Sequence, residues 1–242
     1  MSNSVNQALI EAARHLRDSV EKLRFSAPVW HTYNPLRYAW EAHEQYLTRF
    51  GSAKKRVVFL GMNPGPFGMV QTGIPFGEIK SVREWLGIES AVIPPPREHP
   101  RRPIQGFDCP RSEVSGQRLW GLFAARYSLA QDFFQDHMVL NYCPLAFLEE
   151  TGRNLTPDKL SAKAKSKLFN VCDEHLKQAL AALQPAWVIG IGGFAASRAR
   201  EALKDFELSQ GQILHPSPAS PIANRGWAEA ATKQLRDLGV WR

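Results

Sequence analysis

The sequence predicts an α/β protein, a three-layer α/β/α arrangement around a central four-stranded, mostly parallel sheet. Short apolar runs that end in glycine or a polar residue read as buried parallel strands. Segments of helical period stand between them, and strand and helix alternate along the chain. A chain of 242 residues that is 44% hydrophobic can bury one substantial core, so a single domain over residues 1–242 is expected.

Residues 5–23 place Leu9, Ala13, Leu16, Val20 and Leu23 at spacings of four and three, the period of an amphipathic helix. Asn34-Pro35 opens a second helix carrying Tyr38, Trp40 and Tyr46. Val57-Val58-Phe59-Leu60 is the first buried strand; it breaks at Gly61 into a loop holding Asn63, Gly65, Phe67, Gly68 and Phe76. Ser81–Leu86 reads as a short helix. The prolines of Pro94–Pro103 deny that segment regular hydrogen bonding, and Arg97, Arg101 and Arg102 make it a basic surface loop, a phosphate contact or a solvated connector. Ser115–Tyr127 resumes helical spacing, and Met138-Val139-Leu140 forms a second strand that delivers Asn141. Thr156-Pro157 signals the start of a long helix to about Leu183, with Leu168, Cys172, Leu176 and Ala179 inward. Trp187–Ile191 and the turn at Gly192-Gly193 supply a third strand, followed by a helix from about Phe194 to Leu203. Gly211–Leu214 is the fourth strand, ending at His215, and the last helix spans about Asn224 to Leu238.

The balance of 30 Lys and Arg against 23 Asp and Glu leaves +7, which suits a polyanionic partner. Cys109, Cys143 and Cys172 form no CxxC pair, which excludes a disulfide framework or a four-thiolate cluster within one chain. A reducing, cytoplasmic setting is expected. No eighteen apolar residues run together, so no membrane span is expected. The seven histidines contain no HExxH and no short His/Cys cluster, and neither metal nor other cofactor is expected.

In open α/β sheets the loops at the carboxyl ends of the strands converge on the ligand. Three such ends present Asn63, Asn141 and His215. Gly65 and Gly68 let the backbone approach a flat ligand, and Phe67 and Phe76 offer faces for stacking. The loop itself holds no base, acid or nucleophile, so its chemistry rests on positioning a water or a leaving group. Two other classes compete. Gly190-Ile191-Gly192-Gly193-Phe194-Ala195 satisfies G-x-G-x-x-A, as in a dinucleotide-dependent oxidoreductase, but Asp205 and Glu207 precede the next strand rather than ending it. A nucleic-acid-binding module without turnover would keep the same pocket.

GMNPGPFGMVQTGIPFG at Gly61–Gly77, NYCPL at Asn141–Leu145 and HPSPASPIANRGW at His215–Trp227 resemble the single-strand-selective monofunctional uracil-DNA glycosylases of the uracil-DNA glycosylase superfamily. YNPLRYAWE, VREWLGI, HPRRPIQGFDCPRSEVSG and RNLTP extend the similarity from about residue 30 to 230. The resemblance implies a base-excision repair enzyme that flips out uracil, 5-hydroxymethyluracil or a related damaged base and hydrolyses its N-glycosidic bond. Its partners would be single-stranded and double-stranded DNA, met as a monomer and away from membranes. It assigns Asn63 to the attacking water, His215 to uracil O2, Asn141 to the N3 and O4 edge and Phe76 to stacking. Met62 and Gly65 would give the pocket its backbone, with Gly65 leaving room beside C5. The His215–Pro218 segment and the helix start that follows it, with Pro216, Ser217, Pro218 and Ala219 touching DNA, would form the wedge that fills the gap left by the base. The family carries arginine where this chain has Ala219. The three motifs contain no lysine, so a Schiff base is not expected and the product would be an intact abasic site.

Overall fold

The structure is a computed structural model that describes residues 4–242. Helix α1 (Val5–Val20) buries Leu9, Ile10, Ala13, Leu16 and Val20, the stripe that its spacing predicts. Strand β1 (His31–Tyr33) leads into α2 (Pro35–Tyr38) and α3 (Trp40–Phe50). The wholly buried β2 (Val57–Gly61) is followed by two short helices, α4 (Met69–Thr72) and α5 (Ile79–Glu84). Next come α6 (Val114–Arg126), α7 (Ala130–Asp136) and the buried β3 (His137–Asn141). Two small strands follow, β4 (Ala146–Leu148) and β5 (Asn154–Leu155). The chain closes with α8 (Ala162–Leu183), β6 (Trp187–Ile191), α9 (Gly193–Ala202), β7 (Ser209–Ile213) and α10 (Pro221–Asp237).

The main sheet has the order β3-β2-β6-β7, and every pair is parallel. The first strand of this sheet lies between the second and the third, so the connection from β3 to β6 crosses to the other side of β2. That reversal opens a crevice at the carboxyl ends, where open α/β sheets hold ligands. Helices enclose the sheet. Helix α1 packs on α3 and α8, α9 lies along β6 and β7, and α6 joins α5 and α10. The predicted four-stranded parallel α/β architecture is therefore present.

Its details differ from expectation in ways that have physical causes. Strand β7 is an exposed edge rather than a buried strand, and it starts at Ser209 and stops at Ile213. Thr156-Pro157 begins only a single 3-10 turn, Pro157–Lys159. The long helix starts at Ser161, whose Oγ accepts from the Ala164 N–H at 3.4 Å. The last helix likewise starts at Ser220, whose Oγ accepts from the Ala223 N–H at 3.3 Å. These are the N-cap bonds that fix where a helix begins. A second, antiparallel sheet of order β1-β4-β5 went unforeseen, because strands of two or three residues are too short to display a period. Helices α4 and α7 escaped for the same reason.

The basic proline loop is irregular but anchored: the Tyr33 hydroxyl donates to the Arg102 carbonyl and accepts from the His99 N–H, both at 2.7 Å. Arg97 and Arg101 face solvent. All three cysteines are buried and free. Among the described residues no helix is long and apolar enough to cross a membrane.

Of the three histidines buried among the described residues, His43 and His137 carry depressed imidazoles. His43, 6% exposed, donates from Nδ1 to the Gly73 carbonyl at 2.8 Å. His137, 1% exposed, donates from Nδ1 to the Phe133 carbonyl at 2.9 Å and stacks on the Phe133 ring at 4.7 Å. Burial lowers both imidazoles from the ordinary 6.5 to about 4. As pH falls, the unfolded chain takes up protons before the folded one. The stability from these two residues is therefore complete above about pH 6.5 and drains as pH falls toward about 4, by up to about 1.4 kcal/mol per pH unit for each imidazole. Denaturant midpoints measured from pH 7.5 down to pH 4.5 should fall accordingly, and His137→Phe should flatten the slope relative to the parent chain.

Candidate active site

The site begins where β2 runs out. Gly61 pairs with Asn141 across the parallel ladder, and the pairing continues past the strands: the Tyr142 N–H donates to the Gly61 carbonyl and the Cys143 N–H to the Met62 carbonyl, both at 2.9 Å. The loops after β2 and β3 are thus locked side by side. A Cβ at Gly61 would lie 2.3 Å from Asn141 Oδ1 and 2.4 Å from the Phe76 ring, so only glycine lets the amide and the ring meet over this backbone.

Phe76 arrives by an unusual route. Its φ of +52° is left-handed, a conformation that a bulky side chain rarely adopts and that costs about 1 to 3 kcal/mol. Its carbonyl accepts from Trp120 Nε1 at 2.9 Å and from the Glu78 N–H at 2.7 Å, and those bonds hold the kink. Gly116 of α6 closes against the same carbonyl, which a Cβ there would approach to 2.1 Å. The Phe76 ring reaches the His215 ring with centroids 6.2 Å apart.

His215 is set from beneath by α10. The Leu214 N–H donates to Gln234 Oε1 and the Leu214 carbonyl accepts from Trp227 Nε1, each at 2.7 Å. On another side lies Gly192, left-handed at φ +88°, where a Cβ would be 3.0 Å from His215 Cβ. The glycine-rich turn after β6 therefore makes room for a side chain, which is the opposite of what a dinucleotide would need. Burial lowers the His215 imidazole to about 4, so it is neutral at physiological pH.

Asn63 donates from Nδ2 to the Leu145 carbonyl at 3.1 Å, which turns its Oδ1 away as an acceptor. Asn141, 9% exposed, donates from Nδ2 to Met69 Sδ at 3.2 Å. These residues share one cavity of about 280 Å³, lined by Met62, Asn63, Gly65, Phe76, Asn141, His215, Ser217 and Pro218 among others. The three polar side chains that the sequence places at separate strand ends are thus brought together. Pro216 lies buried behind this wall and Ala219 stands exposed outside it.

One expectation needs correction. Phe67 does not line the cavity, and its ring is taken up by cations: Arg111 lies over it at 3.9 Å and Arg102 approaches at 5.4 Å. Gly65 does line the cavity, and a Cβ there would stand 3.4 Å from the Glu113 carboxyl carbon. Glu113 was not singled out by the sequence reading, nor were Ser115, Asn154 and Thr156, although all four line the cavity. Glu113 caps α6, accepting from the Ser115 N–H at 3.1 Å and the Gly116 N–H at 2.8 Å, and burial raises its carboxyl. The alternation of Asn154 and Thr156 with buried Leu155 was the available signal, two residues facing the cavity on either side of one facing the core. Among the described residues no group of His, Cys, Asp and Glu could hold a metal ion.

The loop after His215 is strapped to α6. Arg118 donates from Nη1 to the Pro216 and Ser217 carbonyls at 3.1 and 3.4 Å and from Nη2 to Asn224 Oδ1 at 2.8 Å. Asn224 in turn donates to the Pro218 carbonyl at 2.9 Å.

Comparison with known proteins agrees with this geometry. The profile of the uracil DNA glycosylase superfamily matches residues 48–238. The chain is 47% identical over 241 residues to a single-strand selective monofunctional uracil-DNA glycosylase of Rattus norvegicus, covering 99% of this chain and 87% of that protein. A Bos taurus protein of the same name is 46% identical over 239 residues, covering 98% and 88%. The crystal structure of wild-type SMUG2 from Pedobacter heparinus superposes with a TM-score of 0.69 at 16% identity, covering 95% of this chain and 97% of that one, a likeness of fold. With a profile spanning most of its length and nearly half its residues shared with these relatives, the chain belongs to the uracil-DNA glycosylase superfamily.

Proposed function

We propose that this chain is a monofunctional DNA glycosylase of base-excision repair, which extrudes uracil from DNA and hydrolyses its N-glycosidic bond. The observation that carries the reading is the convergence of Asn63, Phe76, Asn141 and His215 on one cavity at the carboxyl ends of the strands. A stacked base hides its C1′, so the nucleotide must leave the helix before it can react.

In the pocket, Phe76 stacks on the base, a contact worth about 1 to 3 kcal/mol. Asn141 accepts from N3–H and donates to O4. Cytosine reverses that edge and leaves unmatched groups in a buried site, at about 1 to 3 kcal/mol each. As the bond from C1′ to N1 breaks, N1 keeps the electron pair and the sugar becomes cationic. A ring N–H of His215 donates to O2, and that bond strengthens as the base becomes an anion. Asn63 Oδ1 accepts from the water whose oxygen joins C1′. The water's surplus proton goes to solvent, the uracil anion takes one up, and the products are free base and abasic sugar. Among the described residues no lysine lines the cavity, and without an amine there the sugar is not captured as an imine. Gly65, bare toward C5, extends the range to 5-hydroxymethyluracil and other oxidised pyrimidines. The reading implies work at the genome: in the cytoplasm, at the nucleoid, if bacterial, and in the nucleus if eukaryotic.

Incubating a uracil-containing oligonucleotide with the protein and cleaving abasic sites with alkali tests the reading. Asn63→Ala and His215→Ala should each lower the single-turnover rate by about 10²- to 10³-fold, the scale of losing one transition-state contact. Binding without strand cleavage in the parent chain would instead point to a sensor.

Because His215 is neutral down to about pH 4, kcat/KM should stay level between about pH 8 and 5.5. A limb near pH 6.5 that disappears in His215→Gln would contradict this.

Ala219 supplies little bulk to fill the gap left by a flipped base, which biases the enzyme toward single strands. Ala219→Arg should raise excision from G·U duplexes relative to single strands by about fivefold, equivalent to about 1 kcal/mol of the unstacking cost. An unchanged ratio would reject that bias.

A further inference from the structure

We propose that a cavity of about 310 Å³ beside the catalytic one is a second nucleotide site, holding a nucleoside monophosphate unit by its phosphate and by a donor N–H of its base. The end of α1, the turn after it, β1, the start of α2 and the basic proline loop build it. It shares no lining residue with the catalytic cavity. The two are nonetheless neighbours, since Leu145 lines the one and its carbonyl accepts from Nδ2 of Asn63, in the other, at 3.1 Å.

Charge selects one end of the ligand. Arg24, Arg37 and Arg97 stand exposed on the lining against a single carboxylate, Glu21. That carboxylate is engaged, because its Oε2 accepts from Asn34 Nδ2 at 2.8 Å. Arg37 gives Nη1 to Asp18 at 3.2 Å, and Arg24 gives Nη1 to the Glu21 and Leu23 carbonyls at 2.8 and 2.9 Å. Both guanidinium groups are thus held in place with further N–H groups to offer. Three such forks on one cavity suit a phosphate, which accepts from several of them at once.

The buried end asks for the opposite. Asn34 is 9% exposed, and its Nδ2 donates both to the Glu21 carboxylate and to the Arg17 carbonyl, the latter at 3.1 Å. Two acceptors on one side fix which way the amide points, so Oδ1 is the atom left over, buried and without a hydrogen-bond partner. Buried polar atoms are nearly always paired, and this one calls for a donor. Tyr33 and Tyr38 line the cavity too, and their hydroxyls are spent on the Arg102 and Val70 carbonyls, each at 2.7 Å, so what they offer a ligand is ring surface. Aromatic surface, a solitary acceptor and three guanidinium groups together describe a nucleotide: a base against the rings, its N–H on Asn34 and its phosphate at the exposed arginines. Such a unit can come free or as a neighbour of uracil in the substrate strand.

Calorimetric titration of the full chain with deoxyadenosine 5′-monophosphate tests the site, since its N6 amine supplies the donor. A Kd on the order of 0.1 to 1 mM is expected. Arg24→Gln combined with Arg97→Gln should weaken binding by at least about tenfold, and the deoxynebularine analogue, which lacks the amine, should bind about tenfold more weakly than the parent nucleotide. Lys80→Gln combined with Lys204→Gln removes as much charge outside the cavity, and Asn141→Ala alters the catalytic one; each should stay within about twofold of the parent. No binding at about 10 mM, equal affinity for the analogue, or a tenfold loss in either control would each overturn the proposal. The source of the nucleotide follows from kinetics. If the monophosphate raises KM for a uracil single strand in the parent but not in the arginine double variant, the cavity takes a neighbour of uracil in the strand; binding with KM unchanged assigns it to free nucleotide. The titration needs no turnover, so a failure of the glycosylase reading would leave its outcome standing.

Discussion

No side chain can stand at residue 61, and the recognition geometry follows from that. The parallel register sets Gly61 beside Asn141, and the space that a Cβ would take is filled by Asn141 Oδ1 from one direction and the Phe76 ring from the other. An amide that reads a base edge and a ring that covers its face must meet at nearly a right angle around the same small volume. Here they do so over bare backbone, and the hydrogen bonds that carry the ladder on to Tyr142 and Cys143 keep both loops in register. On the proposed reading specificity rests on sheet pairing, although the residues that express it lie at strand ends and on loops.

Helix α6 does the remaining positioning. Glu113 closes its amino end beside Gly65 and Gly68, Gly116 and Trp120 hold the carbonyl of Phe76, and Arg118 reaches the loop after His215. One helix thus touches the segments that follow β2 and β7. The left-handed backbone of Phe76 is unfavourable by itself and persists because a fully buried Trp120 offers its indole N–H there. The strain puts the ring across the cavity rather than into the core.

How much of this was legible beforehand depended on the length of the signal. Buried strands β2, β3 and β6 announce themselves as apolar runs, and the amides and the imidazole stand where those strands or their edge neighbour stop. What the sequence concealed was local or relational. The caps at Ser161 and Ser220 competed with Pro157 and Asn224 as helix starts, and a hydroxyl that satisfies a backbone N–H decides such contests without leaving a hydrophobic pattern. The small sheet was invisible for want of length. Phe67 and Phe76 look equivalent in sequence; only the guanidinium groups of Arg102 and Arg111, drawn from distant loops, remove Phe67 from consideration. Glu113 enters the cavity from just ahead of the segment whose helical spacing begins at Ser115.

The chemistry that remains has a consequence for substrate range. Burial lowers the His215 imidazole and leaves it neutral, and the Glu113 carboxyl spends both oxygens on backbone donors at the amino end of α6. Held in that cap, the carboxyl is not placed to protonate a departing base, and a neutral imidazole with so low a pKa is too weak a base to make hydroxide. Hydrogen bonds from a neutral imidazole and an amide stabilise charge that the leaving group must largely carry for itself. Uracil does so because its anion spreads over N1, O2 and O4, and an oxidised substituent at C5 that withdraws electrons helps further. On the proposed reading cytosine, whose departure calls for protonation, meets an unmatched edge at Asn141, and the Glu113 carboxyl is engaged in the cap of α6. Base selection in this cavity is as much a matter of leaving-group stability as of shape.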